Sequence, residues 1–162
     1  KPVFYSLPCP FIMNIPFSTI ERKRTYMNIP DLKRQHSEIL SLIRNIEGLS
    51  SGNIDASAKD IAYNINALSG KMKMHLMSED QFLYPGLMNS SDDLIRKTAQ
   101  EFSDEMGGLA DAFQFFVKQY NIPLRITQKK DTFLTESKKI FGLIKERIEN
   151  EDKKLYPMIE KL

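Results

Sequence analysis

Two stretches of the chain decide its fold: His75-Leu-Met-Ser-Glu-Asp-Gln-Phe-Leu-Tyr-Pro85, and its second copy, Arg147-Ile-Glu-Asn-Glu-Asp-Lys-Lys-Leu-Tyr-Pro157. Both contain the pattern E-D-x-x-L-Y-P, and they differ at the first position, where one has His and the other Arg. Residues four apart lie on one face of a helix, so His75 and Glu79 are spaced to hold a metal ion together. The repeat therefore predicts a metal site of which one half has lost its histidine.

The sequence around these repeats predicts four helices separated by short loops. Pro at a first turn, acidic capping residues and Gly- or Pro-containing breaks mark their ends. The expected ranges are Pro30 to about Gly48, Asp55 to Pro85 and Gly86, Ser91 to about Tyr120, and Asp131 to Pro157 or just beyond, with Pro123 in the last linker. Short loops between long helices make neighbours antiparallel, so the fold class is all-α, an up-down-up-down antiparallel four-helix bundle.

Residues 1–26 differ in composition from the rest of the 162-residue chain. They contain four of its prolines and four basic residues against one acidic residue. Proline forbids a continuous helix there. We expect 1–26 to be an appended leader, with a packed N-terminal arm as the alternative, and 27–162 to form the bundle. The single cysteine, Cys9, excludes an intrachain disulfide and favours a reducing, cytoplasmic location.

Helical periodicity predicts which side chains face the inside of the bundle. Both histidines of the chain, two glutamates and one arginine fall on inward positions, as does Phe82. The depth of each position along its helix predicts one buried polar layer, made of His36, His75, Glu79, Met106, Arg147 and Glu151. Burying ionisable groups is costly unless they are paired or bind a cation. Two imidazoles with two carboxylates suit a divalent metal.

Four pieces of the chain together resemble the hemerythrin-like, or HHE cation-binding, family. They are Leu32-Lys-Arg-Gln-His36-Ser-Glu-Ile, the two repeats, and Glu105-Met106-Gly-Gly-Leu. The resemblance implies a four-helix bundle with a non-haem di-iron centre, used in oxygen binding, redox sensing, nitric oxide handling or iron-sulfur cluster repair. Carried over by position, the metal ligands are His36, His75, Glu79 and Glu151. Met106 and Arg147 stand where helices three and four of the family each provide a histidine.

We therefore expect an incomplete di-iron site that holds one ion, iron or another divalent metal, or none. Arg147 is a fixed cation that can neutralise the carboxylates in place of a second ion. The expected role is sensing, binding or protein interaction, with no catalytic residue; the partners would be the metal, a small diatomic ligand, and another protein or a second copy of the chain. Two alternatives stay open: a functional di-iron protein in oxygen, nitric oxide or iron-sulfur chemistry, and a metal-free structural or adaptor bundle.

Other residue patterns point to no further chemistry. No face concentrates Lys and Arg with interleaved aromatics, so nucleic acid is not an expected partner. No apolar run has the length that crossing a membrane requires. The charges that begin at Asp152 fit a solvated face, and Tyr84 and Tyr156 fit packing at helix ends.

Overall fold

The computed structural model describes residues 29–160, and the predictions for 1–26 and Cys9 lie outside this range. The helices are α1 (Ile29–Ser50), α2 (Ile54–Ser78), α3 (Tyr84–Met88), α4 (Asp93–Tyr120), α5 (Pro123–Gln128), α6 (Lys130–Asn150) and α7 (Tyr156–Ile159). Two π-helical turns, Glu79–Leu83 and Glu151–Leu155, join α2 to α3 and α6 to α7. Residues 29–160 contain no strand, so the all-α prediction is confirmed.

The helix starts follow from local capping chemistry. The Asn53 side chain accepts the Ala56 N–H at 3.3 Å at the start of α2. Asp92 does the same for α4 by accepting the N–H of Leu94 at 2.8 Å. Such bonds satisfy donors that a helix cannot satisfy by itself. The linker that holds Pro123 contains the short helix α5, with this proline in its first turn.

The four long helices enclose one core. Helix α1 packs against α2 and α6, and α4 also packs against both of these helices. Salt bridges show the relative direction of α1 and the last helical segment: Lys33 pairs with Glu160 at 2.8 Å, whereas Glu47 pairs with Lys145 at 2.7 Å. Higher numbers on one helix thus meet lower numbers on the other, as in an antiparallel pair. No helix within 29–160 has both the length and the apolarity needed to span a bilayer.

The core is divided into two hydrophobic clusters with polar side chains between them. The larger cluster includes Ile39, Met72, Met106 and Ile148, and the smaller one includes Leu32, Leu83, Phe102 and Leu155. On every long helix the change from one cluster to the other occurs at the predicted polar layer. This layer is therefore a cross-section of the bundle at one depth.

The π-helical turns lie at the two copies of the repeat. The N–H of Tyr84 bonds to the carbonyl of Glu79, and that of Tyr156 bonds to the carbonyl of Glu151, five residues back in each case. A proline follows each tyrosine. Proline has no N–H, and its ring clashes with the carbonyl four residues earlier, so a regular α-helix cannot continue through it. Such wide turns are rare and occur frequently at functional sites.

The first π-helical turn corrects one prediction. Phe82 was predicted to face inward on an uninterrupted α-helix, but its side chain is 55 % exposed. Leu83 and Tyr84 are buried instead. A π turn holds more residues than an α turn, so the inward positions after Glu79 shift by about one residue along the sequence.

Candidate metal centre

The polar layer is almost completely closed to solvent. His36, His75, Glu79 and Glu151 are each at most 3 % exposed. Helix α1 carries the first of them, α2 and its π turn carry the next two, and the second π turn carries Glu151. All four residues predicted as metal ligands thus lie together, in the core and at the same depth.

Three of these residues direct ligand atoms at one point. The Nε2 atoms of His36 and His75 are 3.3 Å apart. The Oε2 atom of Glu151 lies 3.1 Å from the first and 3.8 Å from the second. The donor atoms of this trio all lie within 4.8 Å of one another, a separation that one ion can bridge. This is the arrangement that a metal with imidazole and carboxylate ligands needs.

Glu79 lies at the edge of the trio. Its Oε2 atom is 3.7 Å from His75 Nε2, and its Oε1 atom accepts a hydrogen bond of 3.0 Å from the Tyr156 hydroxyl. Burial and the negative charge of Glu79 keep the pKa of Tyr156 well above its usual value, so this hydroxyl remains a donor. Tyr156 was predicted only to pack at a helix end. It instead positions a carboxylate of the layer.

Each imidazole is held from behind through its other ring nitrogen. His36 Nδ1 lies 2.9 Å from Asp152 Oδ1, and His75 Nδ1 lies 3.1 Å from Gln35 Oε1. An oxygen acceptor at Nδ1 favours a proton there, which leaves the Nε2 lone pair free to bind a metal. Neither contact was predicted: Gln35 was not a candidate residue, and Asp152 was expected on a solvated face. Asp80, at the position in the first repeat that corresponds to Asp152, is exposed, so the repeated sequence alone does not show which of the two aspartates contacts a histidine.

When both imidazoles carry their proton on Nδ1, the atoms that face one another inside the layer are all hydrogen-bond acceptors. Two Nε2 lone pairs and a carboxylate oxygen meet at 3.1 to 3.8 Å, and the buried Oε2 atoms of Glu79 and Glu151 have no hydrogen-bond partner. Buried polar atoms without partners are costly, and lone pairs at these distances repel unless a proton or a metal cation lies between them. The donor set therefore fits a divalent metal ion.

The two glutamates have opposite pKa shifts. Burial raises the pKa of Glu79 to about 7, and the charge of Glu151 adds to the rise. Burial also acts to raise the pKa of Glu151, but its contacts with the imidazoles of His36 and His75 and the charge of Arg147 outweigh burial and lower the pKa to about 2. Glu151 is thus the permanently charged carboxylate, and Glu79 is the one that readily holds a proton.

Arg147 occupies the other half of the layer. Its Nε atom donates to Glu151 Oε1, and its Nη2 atom donates to the Tyr84 hydroxyl at 2.7 Å. The guanidinium carbon lies 4.6 Å from the centre of the Phe102 ring, a cation–π contact. Met106 is also buried, and it lines the same small void as Arg147. This half of the layer therefore contains the guanidinium of Arg147 and the thioether of Met106, whereas the other half contains two imidazoles.

Comparison with known proteins agrees with the architecture. Residues 27–159 match the family model described as the hemerythrin HHE cation binding domain. Searches of curated proteins and of solved structures give no significant match. The family match extends over most of the chain and includes all the residues of the polar layer. The chain belongs to the hemerythrin family of HHE cation-binding domains.

Proposed function

We propose that this protein binds a single divalent metal ion, iron or another transition metal, through His36 Nε2, His75 Nε2 and Glu151 Oε2. Glu79 is the fourth member of the ligand set. The observation that carries the proposal is the convergence of three ligand atoms in the buried core, with the Nδ1 atom of each imidazole facing Asp152 or Gln35. The role is metal-dependent binding or sensing rather than turnover.

An ion held by these residues would supply positive charge to the buried glutamates and Lewis acidity at the centre of the layer. The protein residues fix its ligands beforehand. Both imidazoles already have their Nε2 atoms aimed at Glu151, so little side-chain entropy is lost on binding. Metal binding also displaces the proton that Glu79 holds below its pKa of about 7.

The charge of Arg147 supports one ion rather than two. A guanidinium cannot lose its proton at ordinary pH, so it is no ligand, and it repels a second cation next to Glu151. Met106 offers a soft thioether that hard iron(II) binds poorly. The di-iron alternative would need ligands that these positions do not contain.

The metal-free alternative has one observation in its favour. Arg147 already neutralises Glu151 through a buried, charge-assisted hydrogen bond. In that case the layer would be a structural ion-pair network and the domain an adaptor. One Nε2 atom would then have to carry a proton, and either Asp152 or Gln35 would lose the Nδ1 donor that it faces, which is why we prefer the metal-binding function.

Elemental analysis of protein purified from iron-replete medium tests the proposal. We expect about one ion per chain, and a large loss of metal in His75→Gln and Glu151→Gln. Glu101→Gln, a change at an exposed position of α4, is the matched control and should retain the metal. Two irons per chain would support the di-iron alternative. No metal in the wild type, together with no thermal stabilisation by added Fe²⁺, Zn²⁺ or Co²⁺, would leave the adaptor function.

A further inference from the structure

A surface groove between α4 and α6 leads towards the polar layer. We call it the α4–α6 groove; Glu105, Gly108, Leu109, Glu146, Arg147 and Asn150 line it, and its volume is about 430 Å³. Glu105 and Glu146 are exposed. The mouth of the groove is therefore acidic, and Arg147 is its innermost charged group.

A small void lies on the inner side of the same residues. It has a volume of about 10 Å³, and its lining includes His75, Met106 and Glu151. Leu109 and Arg147 line both the void and the α4–α6 groove. These two side chains therefore separate the outside of the protein from the converging ligand atoms.

Arg147 has an acidic partner on each side of this barrier. On the inside, its Nε atom bonds to Glu151. On the outside, its Nη1 atom lies 3.6 Å from Oε2 of Glu105, whose side chain is 73 % exposed. This Nη1 atom is buried and has no hydrogen-bond partner, and the whole residue is only 7 % exposed. The guanidinium therefore has a second carboxylate within ion-pair distance on its outer side.

We propose that the α4–α6 groove is the entry route for the divalent cation, and that Arg147 opens it by exchanging Glu151 for Glu105. The inference rests on the proposed function, and it assigns a loading path to the same site. Glu105 and Glu146 raise the local concentration of a hydrated cation at the mouth, because a cleft with charge of one sign attracts the opposite ion. Movement of Arg147 towards Glu105 then frees the Glu151 carboxylate for the incoming ion.

Two neighbouring glycines provide a matched pair of variants. Gly108 lines the α4–α6 groove, whereas Gly107 does not, and a Cβ atom at either position meets no other atom within 4 Å. Leucine is a better helix former than glycine by roughly 0.5–1 kcal/mol, so both variants should fold. The Gly108→Leu side chain narrows the groove, and the Gly107→Leu side chain projects elsewhere.

The measurement uses Co²⁺ with the full-length protein. Stopped-flow absorbance gives its association rate, competition with a chelator gives its dissociation rate, and equilibrium titration gives Kd. We expect Gly108→Leu to slow association and dissociation by the same factor, about tenfold or more, with Kd unchanged, because a route affects only the barrier. Gly107→Leu should have wild-type rates.

Variants that remove a surface charge test the entry route independently of the glycine variants. Glu105→Gln should slow Co²⁺ association several-fold and weaken its dependence on salt, because steering by exposed charges is screened by ions. Glu101→Gln, one helical turn away, should change neither. Equal rates in the two glycine variants, or in the two glutamine variants, would overturn the entry route and leave the proposed function intact. Failure of wild-type protein to bind Co²⁺ at all would overturn both.

Discussion

Replacing Arg147 by methionine tests whether this side chain acts as the built-in cation of the polar layer. The change removes the bond to Glu151, the 2.7 Å bond to Tyr84 and the contact with Phe102, and it leaves a charged carboxylate buried at 1 % exposure. Breaking a buried ion pair from one side costs about 3–5 kcal/mol. We expect that loss in the free energy of unfolding of metal-free protein, or roughly 10–15 °C in Tm for a domain of this size.

Metal should reverse part of this loss. An ion bound at His36, His75 and Glu151 replaces the positive charge that Glu151 has lost, so it should stabilise Arg147→Met more than it stabilises the wild type. Ligand at about 100 times its Kd adds about 2.7 kcal/mol to stability, and tighter binding adds more. Urea unfolding, measured with chelator and with Zn²⁺, gives both values.

A double-mutant cycle and a surface control complete this experiment. Glu151→Gln should cost less in the Arg147→Met background than in the wild type, with a coupling of about 2 kcal/mol or more. Arg44→Met, on the exposed face of α1, should change stability by less than about 0.5 kcal/mol. The reasoning is refuted if the two arginine variants lose the same stability, or if the effects of the paired changes simply add.

Three further predictions follow from the partners of the site. In chelator, the free energy of unfolding of the wild type relative to that of Glu79→Gln should fall by about 3 kcal/mol between pH 4.5 and 7. The reason is that the raised pKa of Glu79 contributes stability at low pH, and this stability is lost as the pH rises through the pKa of the folded state. Parallel curves of unfolding free energy against pH for the two proteins, measured with urea, would contradict this. Asp152→Ala should weaken Zn²⁺ binding roughly tenfold by releasing His36, whereas Asp80→Ala, at the equivalent exposed position, should have no effect in chelator competition. Tyr156→Phe should lower stability by about 1–2 kcal/mol in thermal unfolding, because a buried carboxylate loses its donor, and unchanged stability would exclude that bond.

Helical periodicity was sufficient to predict the members of the polar layer. His36, His75 and Arg147 are all buried where the 3.6-residue spacing put them, and the two glutamates of the repeats are buried with them. This worked because each helix faces a single core, so spacing along the sequence gives both the face and the depth of a residue. The assignment of these residues as metal ligands stays a prediction.

The interactions between helices were beyond the same reasoning. Spacing shows that His36 faces inward, but not that its Nδ1 atom meets Asp152, which lies 116 residues away. The π-helical turns were missed because they change the period itself, and the only local signal is the proline after each tyrosine. Phe82 was misplaced for that reason.

The two π-helical turns make the length of the chain near the site as important as its composition. Deleting one residue between Glu79 and Leu83 would give an ordinary α-helix in which Leu83 and Tyr84 still face inward, because the π turn already holds one residue more than an α turn. Inserting a further residue would instead rotate all later side chains of that helix by about 100°, and Tyr84 would then point away from Arg147. The two segments therefore tolerate length changes in one direction only, since each can lose one residue and keep its inward side chains but cannot gain one.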